Sequence, residues 1–212
     1  RPTIMNSGLL ESILSILANM SPWESVAVVL AIAYLLLATR ENLLCWYCAF
    51  VSTAIYTALF WDVNLLMDSS LNIYYMGMAV YGWYQWRFGG TQYDGVAIRT
   101  LPVSNHIKII VSIVALTAIS GLLLSENTDA AWPYVDSFTT WASVFTTVMV
   151  ARKILENWLY WFVIDAISVP LYLERELYLT AALFIAYLLI VVIGFLSWRQ
   201  RYVKQNIASA NG

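Results

Sequence analysis

Seven stretches of 17 to 22 residues, each with one charged residue or none, fill most of this chain: 23–39, 43–61, 69–87, 105–124, 134–151, 157–173 and 177–198. A helix needs about 20 mostly apolar residues to cross a hydrocarbon core of roughly 30 Å, so each stretch is long enough to span a bilayer. The last is the plainest, because Leu177 to Trp198 holds no charge. The third is the most polar at its start, through Asp68, Ser69, Ser70 and Asn72. Only 11% of the residues are charged, against about 25% in a soluble domain. That leaves too little polar surface to cover a 24 kDa globule in water. Barrel strands would alternate lumen and lipid residues over about 10 positions, and these runs do not alternate. The expected fold is an all-α polytopic membrane protein of seven transmembrane helices. Residues 8–20 are shorter and amphipathic, and read as an N-terminal interfacial helix.

Lys and Arg gather on the cytoplasmic side of membrane proteins. With seven spans, one side holds the N-terminus and the loops after the second, fourth and sixth, and it carries only Arg1 and Arg175. The other side carries Arg40, Arg87, Arg99, Lys108, Arg152, Lys153, Arg199, Arg201 and Lys204. The expected topology therefore has the N-terminus outside and the C-terminus inside. The first residues lack a signal-peptide pattern, so targeting is expected to rest on the first span; Arg1 to Ile4, ahead of Met5, read as an addition to the native start. A net charge of −2 offers no basic footprint for nucleic acid.

The chain also resembles itself. Glu41-Asn42-Leu43-Leu44-Cys45-Trp46 matches Glu156-Asn157-Trp158-Leu159-Tyr160-Trp161 at a spacing of 115, which also carries Trp83 onto Trp198. Three spans invert the chain, so a fourth is needed before a second triplet can run parallel to the first. The expectation is a 3+1+3 arrangement of parallel repeats about an axis along the membrane normal, as in SWEET proteins. Its parts are a tail and interfacial helix (1–22), a first repeat (23–87), a linker with connecting helix 4 (88–133), a second repeat (134–198) and a cytoplasmic tail (199–212).

One ionisable residue lies well inside a span. Asp165 would cost about 2.5–3.5 kcal/mol to bury at a helix centre, and no Lys or Arg lies deep in a span to pair with it. A water-filled cavity or a cationic ligand is favoured over a buried ion pair, with a polar contact between helices as the alternative. Helical spacing puts Trp158, Trp161, Ser168 and Tyr172 on the same stripe. Indole faces attract cations and flat heteroaromatic rings; Trp158 fits an interfacial belt equally well. The third span offers Tyr75 together with Asn72 and Gln85, whose side-chain amides lipid cannot satisfy. The hydroxyls of Thr139, Thr140, Ser143, Thr146 and Thr147 are the small polar groups of helix packing. No metal or cofactor is expected: Cys45 and Cys48 sit within a span, His106 is the sole histidine, and nucleotide-binding or nucleophile-elbow motifs are missing.

Tyr81-Gly82-Trp83-Tyr84-Gln85-Trp86 and the run Arg152-Lys153-x-x-Glu156-Asn157-Trp158-Leu159-x-Trp161 with Ile167-Ser168-Val169 resemble two signatures of the PnuC family of bacterial vitamin transporters. The resemblance covers about residues 23–200. It implies a SWEET-like fold in the bacterial inner membrane, with facilitated uptake of an unphosphorylated vitamin that a cytoplasmic kinase traps. Members of the family take nicotinamide riboside, thiamine or riboflavin. The resemblance departs at Asp165, where the nicotinamide riboside type has Asn. A carboxylate suits the thiazolium or aminopyrimidine of thiamine, so thiamine is the first expectation and nicotinamide riboside the second. Trp158 and Trp161 would stack, Asp165 would meet the cationic or amidine-like group, and Asn157, Asn72, Gln85, Ser168 and Tyr75 would complete the site. The partners are then the vitamin and the lipid bilayer; a homo-oligomer is compatible with this reading. A seven-helix ligand-sensing receptor is the alternative from another class.

Overall fold

A computed structural model describes residues 21–62, 66–90, 94–127, 132–174 and 178–210. The tail and interfacial helix expected before residue 21 lie outside these. Among the described residues the chain forms seven α-helices: α1 (Pro22–Thr39), α2 (Leu44–Asp62), α3 (Leu66–Phe88), α4 (Val103–Asn127), α5 (Pro133–Ala151), α6 (Asn157–Glu174) and α7 (Tyr178–Ala210). Four regions, α1, α2, α4 and Thr180–Ala208 of α7, are long and apolar enough to cross a membrane by length and composition. The last helix does not stop at residue 198 but continues through what reads in the sequence as a tail.

The helix ends follow local chemistry. Ser21 caps α1 by accepting a hydrogen bond of 3.1 Å from the Glu24 amide, and Pro22 pre-sets the first turn. Pro133 does the same for α5. At the start of α2, the Asn42 side-chain oxygen accepts from the Leu44 amide at 2.9 Å.

Large apolar side chains line the outside, among them Val29, Phe50, Val111, Val114, Leu122, Phe162, Leu189 and Ile193, all exposed. A soluble monomer rarely shows apolar patches beyond a few hundred Å². Lipid is the solvent that makes this surface favourable.

In the bundle, α1 packs on α2 and α2 on α3, while α5 packs on α6 and α6 on α7. The first three helices meet the last three through two seams, α1 with α7 and α3 with α5. Helix α4 packs on α5.

The seams reveal a repeat with a different register from the one expected. A spacing of 112, without gaps, carries α1, α2 and the start of α3 onto α5, α6 and the start of α7 to within one residue. Trp86 Nε1 donates to the Val150 carbonyl at 3.2 Å, and Trp198 Nε1 donates to the Ala38 carbonyl at 2.9 Å. Trp46 meets Trp86 edge-on at 5.2 Å, and Trp158 meets Trp198 edge-on at 5.4 Å. A Cβ on Gly82 would overlap the Trp46 indole, and one on Gly194 would overlap Trp158. Every one of these pairs is 112 apart. The 115 spacing aligns letters, Glu-Asn and two tryptophans, but a three-residue slip turns a helix by about 60° and puts the wrong face inward. Gly-x-x-x-Trp-Arg, at Gly82–Arg87 and Gly194–Arg199, is the sequence signal of the true register.

The turns between the first two helices of each triplet are also equivalents. After α1, Asn42 N donates to Leu37 O and Glu41 N to Ala38 O; after α5, Ile154 N donates to Met149 O and Lys153 N to Val150 O. Both close their helix with a residue in the left-handed region, Glu41 at φ 55° and Lys153 at φ 49°, where glycine is the usual choice.

The linker after α3 crosses the same end. Gly95 N donates to Gly89 O and Val96 N to Gln85 O, which holds its start to α3. Farther on, Arg99 N donates to Lys153 O and Leu155 N to Arg99 O, which fastens it to the α5–α6 turn. Contacts of Arg201 with Glu41 and of Thr100 with Tyr202 bring the end of α7 there too. We call this the basic end.

Candidate functional site

The stripe on α6 divides at its second turn. Trp158 is 2% exposed, meets Trp198 edge-on and lies close against Gly194. It belongs to the packing of the basic end, as its equivalent Trp46 does. Asn157 is fully buried and donates its amide to the Ile154 carbonyl at 2.6 Å, closing the turn into α6. Both lie in the first turn of α6, where Trp158 packs into the core cluster that contains Trp46, Trp86 and Trp198 and the Asn157 side-chain oxygen is buried with no hydrogen-bond partner.

Trp161, one turn deeper, is half-buried and packs against both core clusters of the bundle. Its equivalent in the first triplet is Ala49, so nothing in the repeat's shared packing requires an indole there. Asp165 follows one turn on, 4% exposed. Among the described residues no Lys or Arg pairs with it. Tyr187 of α7 lies within electrostatic reach of Asp165 and also of Tyr56 on α2. The Asp165 equivalent is Thr53. Ser168 is buried, its hydroxyl donating to the Ile164 carbonyl at 2.8 Å. Tyr172 turns its ring onto Phe184, centroids 5.0 Å apart.

Across the bundle, Tyr75 of α3 lies beside Ser143 of α5 and within electrostatic reach of Tyr34 on α1. Its neighbour Tyr74 donates to the Val144 carbonyl at 3.0 Å. Asn72 is half-buried one turn from Tyr75 on the same stripe of α3. Gln85 does not join them. It sits ten residues farther along α3, where its carbonyl accepts from Gly89 and Val96 in the linker.

The structure thus gathers Trp161, Asp165 and Ser168 on one helix, and Tyr75 and Asn72 on another. It assigns Trp158, Asn157 and Gln85 to the basic end. Tyr187 and Tyr56 are additional polar neighbours that single-helix stripes cannot reveal. The 112 register could have found the first, since it places Tyr187 opposite Tyr75. Such a set of aromatic faces, phenols and a carboxylate can hold a flat cationic ring and hydrogen-bond its polar substituents.

A separate cavity of about 490 Å³ opens between α4, α5 and α6, lined by His106, Ile110, Phe138, Glu156, Tyr160 and Ile164. His106 and Tyr160 share a hydrogen bond of 3.0 Å at its basic end. Its rim includes exposed Ile110, Val114, Leu159 and Val163, so it faces the lipid rather than Asp165.

Residues 21–200 match the profile of a family described as nicotinamide mononucleotide transporter. The nicotinamide riboside transporter PnuC of Escherichia coli (strain K12) is 22% identical over 200 residues, covering 82% of this chain and 84% of that protein. The riboflavin/roseoflavin transporter RibM of Streptomyces davaonensis is 25% identical over 178 residues, covering 82% and 83%. Among solved structures, the crystal structure of the vitamin B3 transporter PnuC superposes with a TM-score of 0.71 at 19% identity, covering 92% of this chain and 88% of that one.

Proposed function

This chain belongs to the PnuC family of vitamin transporters, and from that membership we propose that it carries an unphosphorylated cationic vitamin into the cell, nicotinamide riboside ahead of thiamine. Transport is facilitated, by alternating access, and a cytoplasmic kinase traps the product. The observation that carries the reading is Asp165, a buried carboxylate with no basic partner among the described residues, one helical turn from Trp161. A carboxylate within a membrane faces a water-filled cavity or a partner group, and a pyridinium or thiazolium ring supplies such a partner together with a flat face for the indole.

Nicotinamide riboside replaces thiamine as the first expectation because the relatives described above are named for it and for riboflavin. Asp165 keeps thiamine as the second reading and speaks against neutral riboflavin. A family of transporters places carriage ahead of ligand sensing by a receptor.

The 112-residue equivalences support a SWEET-like 3+1+3 architecture, with α1–α3 and α5–α7 as parallel repeats and α4 as the connecting span. The substrate site of such carriers lies near the midplane between the repeats. The nine basic residues on one side support an inner-membrane topology with the N-terminus outside and the basic end in the cytoplasm.

Titrating the tryptophan fluorescence of the purified protein with nicotinamide riboside, thiamine and riboflavin tests the ranking, and counterflow in proteoliposomes tests carriage. Nicotinamide riboside is expected to bind tightest and to exchange across the membrane without a pH gradient. Tighter binding of riboflavin than of either cation would overturn the assignment.

A further inference from the structure

Two pairs of equivalent residues touch each other across the seam between the halves. Trp86 and Trp198 approach to 5.9 Å between ring centroids, and Lys153 Nζ lies 2.8 Å from Glu41 Oε2. Residues related by a two-fold axis meet their own mates only beside that axis. Four indoles therefore form a continuous row across it, in the order Trp46, Trp86, Trp198, Trp158. Next to this row lies an ionic layer. Arg201 Nη1 reaches Glu41 Oε1 at 3.0 Å and the Arg40 carbonyl at 2.8 Å, and the Lys153 ammonium sits 4.9 Å from the centre of the Trp86 ring.

In a two-repeat carrier the substrate path runs between the repeats, and this row lies across its basic end. We propose that Glu41, Lys153 and Arg201 are the latch of a cytoplasmic gate whose floor is the tryptophan row, and that the latch parts when substrate leaves for the cytoplasm. The proposal rests on the carrier reading above but not on which vitamin is carried.

Three features distinguish a latch from a permanent seam. Glu41 and Lys153 both hold left-handed backbone that a glycine would adopt more easily, so the two turns tolerate strain to present two opposite charges to each other. Their side chains keep 12% exposure each, and Arg201 keeps 40%. Water is at hand to solvate the charges when they separate, whereas fully buried ions would be stranded. The indole nitrogens of Trp46 and Trp158 are buried with no hydrogen-bond partner in this closed arrangement. Opening the floor lets water satisfy both donors, which offsets part of the cost of parting the indoles.

Cys45 provides a reporter that needs no substrate. It is fully buried beside Trp46 in the core at the basic end. In a Cys48→Ser background, a membrane-impermeant maleimide is applied separately to each face of vesicles. Glu41→Gln is expected to raise Cys45 labelling from the basic face about tenfold, with labelling from the other face unchanged. The reversed pair, Glu41→Lys with Lys153→Glu, is expected to return it to within about threefold of the parent. Thermal unfolding of each variant separates gating from misfolding; should Glu41→Gln not fold, Arg201→Met carries the same expectation at about threefold. Unchanged labelling in the folded single variant overturns the latch. So does a reversed pair that labels as fast as Glu41→Gln. Either result leaves the vitamin assignment intact, and a wrong vitamin leaves the labelling result intact.

Discussion

At the basic end of the bundle, residues 112 apart make the same contacts; halfway along it they do not. Trp46 and Trp158 pack alike, Gly82 and Gly194 make room for them alike, and Trp86 and Trp198 donate to matching carbonyls. Deeper in the membrane the mates diverge, with Trp161 opposite Ala49 and Asp165 opposite Thr53. The packing that joins the triplets has to be the same twice. A small, unsymmetrical ligand asks for different groups on its two sides, and Trp161 and Asp165 supply that difference while Tyr75 and Tyr187 stay matched.

The strongest way to break this comparison is to fill a shared gap. Gly82→Val or Gly194→Val drives a side chain into a buried indole, and overpacking of this kind costs about 1–3 kcal/mol or more. Both variants are expected to lose most of the monodisperse protein on size exclusion in detergent, and a well-folded Gly194→Val would refute the tight fit. Trp86→Phe and Trp198→Phe remove one indole–carbonyl bond each and leave a buried carbonyl without that donor, about 1–3 kcal/mol. Their losses in thermal stability should agree to within about 0.5 kcal/mol; a large inequality would show that the two seams are not equivalent.

Asp165→Asn tests the other region. Binding of nicotinamide riboside and thiamine should weaken about tenfold, near 1.4 kcal/mol, with riboflavin unaffected and stability unchanged or slightly raised. Equal binding of the cations by Asp165→Asn would remove the charge argument. The smallest effect sharpens the boundary within α6. Trp161→Phe should weaken binding about threefold with little loss of stability, whereas Trp158→Phe should lower stability and change affinity less than about twofold. The same fluorescence titration and melting curves decide both.

Among the described residues, the seven helices and most of their limits are legible in the sequence, because apolar length is a property of each segment alone. Leu44–Asp62 and Asn157–Glu174 fall within one residue of the apolar runs at 43–61 and 157–173. The register of the repeat depends on which face of each helix meets its neighbour, and Trp46 has two tryptophans three residues apart, Trp158 and Trp161, as candidate mates. The same ambiguity hides the role of Trp158. A stripe drawn on one helix cannot say which part of it another helix covers, and here Gly194 on α7 supplies the slot. Asp165 is legible for the opposite reason, since a lone carboxylate deep in an apolar helix is costly wherever its neighbours lie. Tyr187 escapes notice because its importance comes from Asp165 and Tyr56 on two other helices.

The linker's two attachments also have a mechanical meaning. Its first residues are hydrogen-bonded to α3 and its later ones to the α5–α6 turn, and between Val96 and Arg99 only Ala97 and Ile98 lie free of these backbone bonds. Any swing of α1–α3 against α4–α7 has its covalent pivot in that dipeptide, and Ile98, buried at 4%, is the pin set in the core. The bodies on either side of that pivot are unequal, three helices against four.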